Sequence, residues 1–428
     1  MSHDALSYDQ AAALVAKHAA KLARLRRSVE LVSLQRAAGR VLARPLRADQ
    51  DQPPFARSTR DGFACRAAEA SAHVPLIITG ATRAGAAPSG PVAHNSAWEI
   101  MTGAPVPRGA DAVLMLEHVE VINGQVRLLS SRTVAPGENI VARGAQARRG
   151  DVLLPAGTPM GAAQIALAAA CGCARVEVFR KPHVAILATG DELVPVQKSP
   201  GPGQIRNSNA PMLAAMVAAC GGEPWVLPIV ADTEKALDSA LIRTADADLL
   251  LITGGVSAGK FDLVEPALAR IGAGFHFTAV RIQPGKPTVF GKIPPRRCGK
   301  NLIQSQNSAK HNQERTKCYF FGLPGNPVSS AVTFLLLAAP LLRALAGSCD
   351  IQPHFALAHL AGDVKAKPGL TRFLPAICTF NGETPSVALV PWQGSGDIAA
   401  MARANCFLAV PEDAERLKAG TVVRILLT

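Results

Sequence analysis

The sequence predicts a multidomain α/β protein organised around a doubly wound parallel sheet, on three observations. Its 428 residues exceed one ordinary domain and suggest about three. From His183 onward, short apolar runs alternate with helical stretches of roughly 10–15 residues, the pattern of βαβ units. Before and after that region, short β-rich runs separated by Gly/Pro turns predict small β domains. Apolar residues make up 48% of the chain, and its 36 Gly and 32 Pro are spread along its length, so several cores linked by many loops are expected rather than disorder.

The elements are expected in the following order. Asp9 to Leu22 is alanine-rich and helical; VELVSLQRAAGRVLA carries a strand and then a short helix. DQDQPPFARSTRDGFA is a break, because two prolines and small polar residues cannot sustain a long element. WEIM, AVLML, VEVI and VRLL, between Val74 and Asp151, read as strands of a small inserted β domain, and Gly161 to Gly172 as a helix closing the first half. VAILAT, WVLPIV, LLLIT, FHFTAV and YFFGL are the expected strands of the central sheet. Its helices are expected over Asn207–Cys220, Thr233–Thr244 and Leu263–Ile271, with Asn207, Ser208 or Asn209 as N-cap of the first. Val328 to Gly347 approaches the ~20 apolar residues of a membrane span. It contains Pro340, Arg343 and three hydroxyl residues, and is read as a buried helix on the sheet, with no membrane partner. FALAHL, RFLPAICTF, SVALVPW, CFLAV and VVRILL then predict a small barrel or sandwich. Three parts follow: residues 1–180 with an insertion over about 55–145, residues 181–348, and residues 350–428.

Composition narrows the function. The net charge of +13 favours anionic partners. Aromatics at 4% give little stacking surface for single-stranded nucleic acid, and no nucleic-acid module is recognisable. Nine scattered cysteines and a polar start without a secretory signal predict a cytoplasmic protein without a disulfide framework. Cys171-Gly-Cys173 lacks the second pair that a zinc site needs. The basic, non-periodic stretch between Ile293 and Lys317 reads as a surface loop, either merely solvated or attracting an anion.

Familiar motifs fail on their context. Gly254 to Lys260 fits G-x-x-x-x-G-K, but Phe261 occupies the place of the Mg²⁺-binding hydroxyl. Gly255 to Gly259 fits G-x-S-x-G, but no helix follows the serine directly. What remains is a set of glycine turns at expected strand ends: TGDE, TGG and GLPGNP. Ligands of open α/β sheets bind beyond the carboxyl ends of the strands. Asn326-Pro327 suits a helix start, whose free N–H groups attract anions, and Lys286 adds a point charge. Asp191, Glu192, Asp232 and Asp262 also lie at strand ends, where carboxylates beside phosphates hold Mg²⁺. Singly, each turn is also a plain tight connection, and each acid an N-cap or a solvated charge.

PPFARSTRDGFA (53–64), MTGAPVPRGADAVLMLE (101–117), ATGDELV (188–194), TGGVSAGKFD (253–262), PGKP (284–287), GLPGNPVS (322–329) and QGSGDI (393–398) together resemble the MoeA-type molybdopterin molybdenumtransferases, the family of the gephyrin E-domain. The resemblance runs in register over nearly the whole chain. It implies a doubly wound MogA-like α/β domain, an N-terminal helical/β region with the inserted β domain, and a C-terminal β-barrel. It also implies a homodimeric, Mg²⁺-dependent enzyme that inserts molybdate into adenylylated molybdopterin and releases AMP. Partners would be the upstream molybdopterin adenylyltransferase and downstream cofactor-maturation enzymes. On the same basis Asp61 and Thr102 would reach the catalytic cleft from the second subunit, beside Glu192, Asp232 and Asp262 on the metal side. Gly254, Gly255, Ser257, Lys286, Pro324, Gly325, Asn326 and Ser329 would hold the anionic pterin nucleotide, with Arg372 and Ser395 from the C-terminal wall.

Four features depart from the family pattern: Gln283 for a lysine before PGKP, Ala145-Gln146 for an acidic pair, Arg60 before the DG, and the long 293–317 segment. They raise the alternative of a weakened paralogue that binds molybdopterin as a scaffold or handles tungstate.

Overall fold

A computed structural model describes residues 5–23, 27–255, 263–294, 318–380 and 384–428. The segment expected as a basic loop lies outside the described residues from position 295, as do Ser257 and Asp262. The chain forms two compact units: Met1–Ala43, Gly157–Gly161 and Val176–Thr428 in one, Arg44–Ala156 and Ala162–Arg175 in the other.

In the larger unit a six-stranded sheet runs in the order Glu223–Val226, His183–Ala188, Leu249–Thr253, Cys318–Leu323, Val289–Ile293, Gly274–Phe277. The first four strands are parallel; Val289–Ile293 runs against them, and Gly274–Phe277, pairing antiparallel with it, points the same way as the four. FHFTAV therefore contributes an edge strand that points the same way as the parallel four but pairs antiparallel with its one neighbour, Val289–Ile293. Only eleven residues separate Gly274–Phe277 from Val289–Ile293, too few for a helical crossover. WVLPIV is displaced as well. The strand is Glu223–Val226 and stops before Leu227-Pro228, where proline cannot donate to a ladder.

Helices cover both faces, and the strands alternate accordingly. Val184, Ile186 and Ala188 pack with Ala210, Leu213 and Val217 of Asn209–Ala219, whereas Ala185 and Leu187 pack with Leu237, Leu241 and Leu268 of the opposite helices. The apolar stretch after GLPGNP is a helix over Pro327–Leu345, long and apolar enough to cross a membrane, with 83% of its apolar window buried. Its central turn, Phe334–Ala338, is a π-helix just before Pro340. Widening the turn accommodates a ring that would otherwise press on the carbonyl four residues back. Tyr8–Ala23 lays Ala11, Val15, Ala19 and Leu22 into the same core at helical spacing.

The barrel alternative holds at the C-terminal end. Strands Thr371–Thr379, Ser386–Leu389, Phe355–Leu360, Val422–Leu427 and Cys406–Val410 pair in that order, and the last pairs back with the first. Closure leaves no free edge. In the smaller unit, WEIM, AVLML, VEVI and VRLL all become strands of one six-stranded sheet, joined by Gly62–Cys65 and Leu76–Thr82, and Ala162–Ala170 is helical. The eight cysteines among the described residues are free thiols, and those residues contain no group of three or more potential metal ligands.

Where the first helix meets the sheet, the rings of His18 and His276 lie 4.3 Å apart at a tilt of 31°, and Lys292 lies 4.6 Å from the Tyr319 ring centroid. Burial pushes the His18 pKa down to about 4, aided by His276, Lys292, Lys21 and Lys17; burial and then Lys292 and Lys21 lower His276. Both groups titrate lower folded than unfolded, so the unfolded chain takes up protons first as pH falls. Stability should be full above about 6.5 and decline progressively toward about 4. Thermal unfolding across this range should show that decline, with a shallower slope in His18→Phe; equal slopes would contradict the burial of this pair.

Candidate functional site

The carboxyl ends of four strands of the large unit meet at a cleft of about 610 Å³, within the range of small-molecule sites. Thr189 and Gly190 follow His183–Ala188, Thr253 ends Leu249–Thr253 and leads to Gly254-Gly255, and Pro324-Gly325-Asn326 follows Cys318–Leu323. Asp232 enters beyond Glu223–Val226.

A buried polar network ties these ends together. Asn209 donates from Nδ2 to the Gly325 carbonyl at 2.7 Å and to Thr253 Oγ1 at 2.8 Å. Thr253 Oγ1 donates to the Pro324 carbonyl at 3.3 Å and sits 3.3 Å from Ser330 Oγ, which also donates to Pro324. Because the Gly325 carbonyl only accepts, Asn209 must present its amide nitrogen there. Its Oδ1 is buried without a partner.

Gly254 has φ of +90°, and a Cβ there would collide with the Thr189 carbonyl oxygen; a Cβ on Gly325 would come within 3.7 Å of the Gly254 Cα. The first contact requires glycine, and the second is an ordinary van der Waals distance that leaves the two turns adjacent.

The acids sit at the rim. Glu192 is exposed and lines the cleft, as does half-buried Asp232. Thr189 donates its hydroxyl to Asp232 Oδ1, and the Asp232 backbone N–H donates to Asp191 Oδ1 at 3.1 Å. Thr233 rather than Asp232 caps the helix Glu234–Arg243, accepting from the Ala236 N–H. Asp232 is thereby released from the capping role. Two carboxylates with an oxygen to spare suit Mg²⁺, which takes one or two from a protein and completes its shell with water and phosphate oxygens.

Of the residues expected at the site, Glu192, Asp232, Gly254, Gly255, Pro324, Gly325 and Asn326 line this cleft. Ser395 accepts from Asn326 Nδ2 at 2.8 Å, next to Gly396 of the lining. Asn326 occupies the N-cap position of Pro327–Thr333 but makes no side-chain capping bond, its amide being turned to Ser395. Lys286 is exposed beside Pro287, itself in the lining, and Ser329 is buried at 4% exposure in the helix. Arg372 donates from Nε to Gln283 Oε1 at 2.8 Å. Gln283 thus holds a guanidinium that a lysine in its place would repel. In the smaller unit, Thr102 donates its N–H and hydroxyl to Asp61 Oδ1 at 2.6 and 3.0 Å, which lowers the Asp61 pKa, the backbone bond contributing most. Ala145 and Gln146 are exposed in that unit, as is Arg60.

Sequence reasoning missed Thr189, Thr253 and Asn209. Both threonines precede a strand-end glycine, a repeated signal that was available. Asn209 was weighed only as a cap, a role that Asn207 Oδ1 takes by accepting from the Ala210 N–H.

Gly254→Ala is expected to lower stability by about 1–3 kcal/mol, measured by chemical unfolding, because both φ and the Thr189 contact oppose a side chain. An unchanged midpoint would contradict the close approach of the turns.

Comparison with known proteins agrees with this architecture. The chain matches the MoeA N-terminal region (domain I and II) over residues 6–172, the "Probable molybdopterin binding domain" over 185–344, and the MoeA C-terminal region (domain IV) over 358–428. A molybdopterin molybdenumtransferase of Haemophilus influenzae is 32% identical over 92% of this chain and 93% of its own length. One from a Nostoc species is 37% identical over 74% of this chain and 70% of its own. Among solved structures, a molybdopterin biosynthesis MoeA protein from Pyrococcus horikoshii covers 99% of this chain and all of its own at 27% identity, with a TM-score of 0.79. The chain belongs to the MoeA family of molybdopterin molybdenumtransferases.

Proposed function

We propose that the strand-end cleft binds adenylylated molybdopterin and molybdate, and that the chain inserts the metal into the dithiolene while the phosphoanhydride is cleaved and AMP released. As a family member, the chain is a transferase of molybdenum-cofactor biosynthesis. The observation that carries the site assignment is the convergence of Gly254-Gly255 and Pro324-Gly325-Asn326 with Glu192 and Asp232 around one cleft.

On this reading the glycine turns let the main chain approach the phosphates closely. Lys286 supplies positive charge as the AMP phosphate departs. Ser395 orients Asn326, and Gln283 orients Arg372, at the C-terminal wall. Ser257 and Ser329 belong to the same anion-binding set. Thr189 fixes one oxygen of Asp232, so that Asp232 and Glu192, with Asp262, remain available to Mg²⁺. When bound, Mg²⁺ neutralises charge on the phosphate oxygens. Asp61 and Thr102 complete the cleft from the second subunit of a homodimer, and the cytoplasm is the working compartment. Asp61, kept ionised by Thr102, positions a metal or oxyanion and does not act as a nucleophile. The upstream adenylyltransferase delivers the substrate, and cofactor-maturation enzymes receive the product.

The test is AMP release from adenylylated molybdopterin in Mg²⁺, with and without molybdate. AMP should appear only with molybdate, should be abolished by chelation, and should fall about 10²-fold in Asp232→Asn. Tight pterin binding without AMP release would instead establish the scaffold alternative. Release with tungstate alone would make this chain the tungstate paralogue.

A further inference from the structure

At the opposite edge of the same sheet, where the strands His183–Ala188 and Glu223–Val226 begin, lies a second cleft of about 570 Å³. Its walls are unusually basic. Arg36 comes from the short 3-10 turn Leu34–Arg36, Arg40 from the loop after it, and Arg180 and Lys181 immediately precede the sheet. The two acids in the lining are already engaged: Glu30 with Arg40, and Glu223 with His183 at 3.1 Å. Arg180 pairs with Asp248 at 3.1 Å. Arg36 and Lys181 have no carboxylate partner among the described residues.

Arg40 distinguishes this cleft from an ordinary charged surface. It is only 8% exposed, yet both of its side-chain hydrogen bonds, to Glu30 and to the Phe179 carbonyl at 2.8 Å, run through Nη2. Its remaining guanidinium N–H groups have no partner among the described residues. A guanidinium anchored at one nitrogen presents the rest of its donor fork in a set direction, the geometry that recognises phosphoryl oxygens. The unpaired Arg36 and Lys181 outnumber Glu223, whose imidazole partner balances its charge only when protonated, and so leave the cleft electropositive.

We propose that this cleft is a second anion site that binds a phosphoryl group, either as free phosphate or diphosphate or as the phosphate of a mononucleotide. Arg40 supplies the fixed fork, and Arg36 and Lys181 supply the neutralising charge. The volume and the small walls at Ala38, Ala218 and Gly222 fit a small molecule.

Isothermal titration of the full chain with inorganic phosphate, pyrophosphate and AMP tests this. Binding of at least one should weaken about tenfold or more in the double variant Arg36→Ala/Lys181→Ala, and also in Arg40→Lys, which keeps the charge but loses the planar fork. Thermal unfolding and molybdate-dependent AMP release should be unchanged in the double variant. Tighter binding of AMP than of pyrophosphate would identify the source as a nucleotide, and the reverse would identify free phosphates. Phosphate bound only in the strand-end cleft is indifferent to these substitutions, so identical isotherms in wild type and double variant would overturn the proposal. Absence of binding at millimolar concentration, or capture of a polyglutamate peptide in place of the phosphates, would overturn it too.

Discussion

The buried hydroxyl of Thr253 is the constraint on which the functional end of this protein depends. It accepts from Asn209, donates to the Pro324 carbonyl and touches Ser330, so one oxygen joins two helices, a strand end and a turn. Leaving a polar group unpaired at such a depth costs about 1–3 kcal/mol, a cost the network meets at Thr253 and Ser330 and bears at Asn209 Oδ1. Once it forms, the turns after Leu249–Thr253 and Cys318–Leu323 are brought to near contact. Only glycine permits the remaining approach at Gly254, where a Cβ would meet the Thr189 carbonyl. Cleft shape and turn chemistry therefore have one cause.

The same end separates acids from structural duty. Thr233 takes the cap of its helix and Asn207 serves the preceding one, so neither job falls to a carboxylate. Asp232 is oriented by Thr189 and by its own backbone bond to Asp191. The acids stay at the rim of a basic molecule, where they can share a divalent cation with a phosphate instead of stabilising the fold. Gln283 illustrates the same economy on the barrel side, holding Arg372 with a neutral oxygen.

Much of the architecture was legible in the sequence because period-two runs and glycine turns are local signals. VAILAT, LLLIT and YFFGL became the core parallel strands, and the five C-terminal runs became one barrel. Less legible was anything decided by distant partners. Whether FHFTAV would pair parallel or antiparallel with its neighbour depended on the length of its connection, and the strand in WVLPIV was displaced by a proline. Closure of the barrel rather than a sandwich rests on Thr371–Thr379 pairing with both Ser386–Leu389 and Cys406–Val410, which no run reveals alone. At the site, glycines and acids were readable as types at strand ends. The roles of Asn209 and Asn326 were not, because their amides satisfy partners more than sixty residues away in sequence.

The central claim is that the strand-end turns hold the phosphate of the nucleotide portion of the substrate. A crystal structure of the chain with AMP and Mg²⁺ tests it most directly. The AMP phosphate is expected to lie against Gly254-Gly255 and Pro324-Gly325-Asn326, with the cation shared between that phosphate and Glu192 or Asp232. AMP bound with its phosphate away from these turns would contradict it.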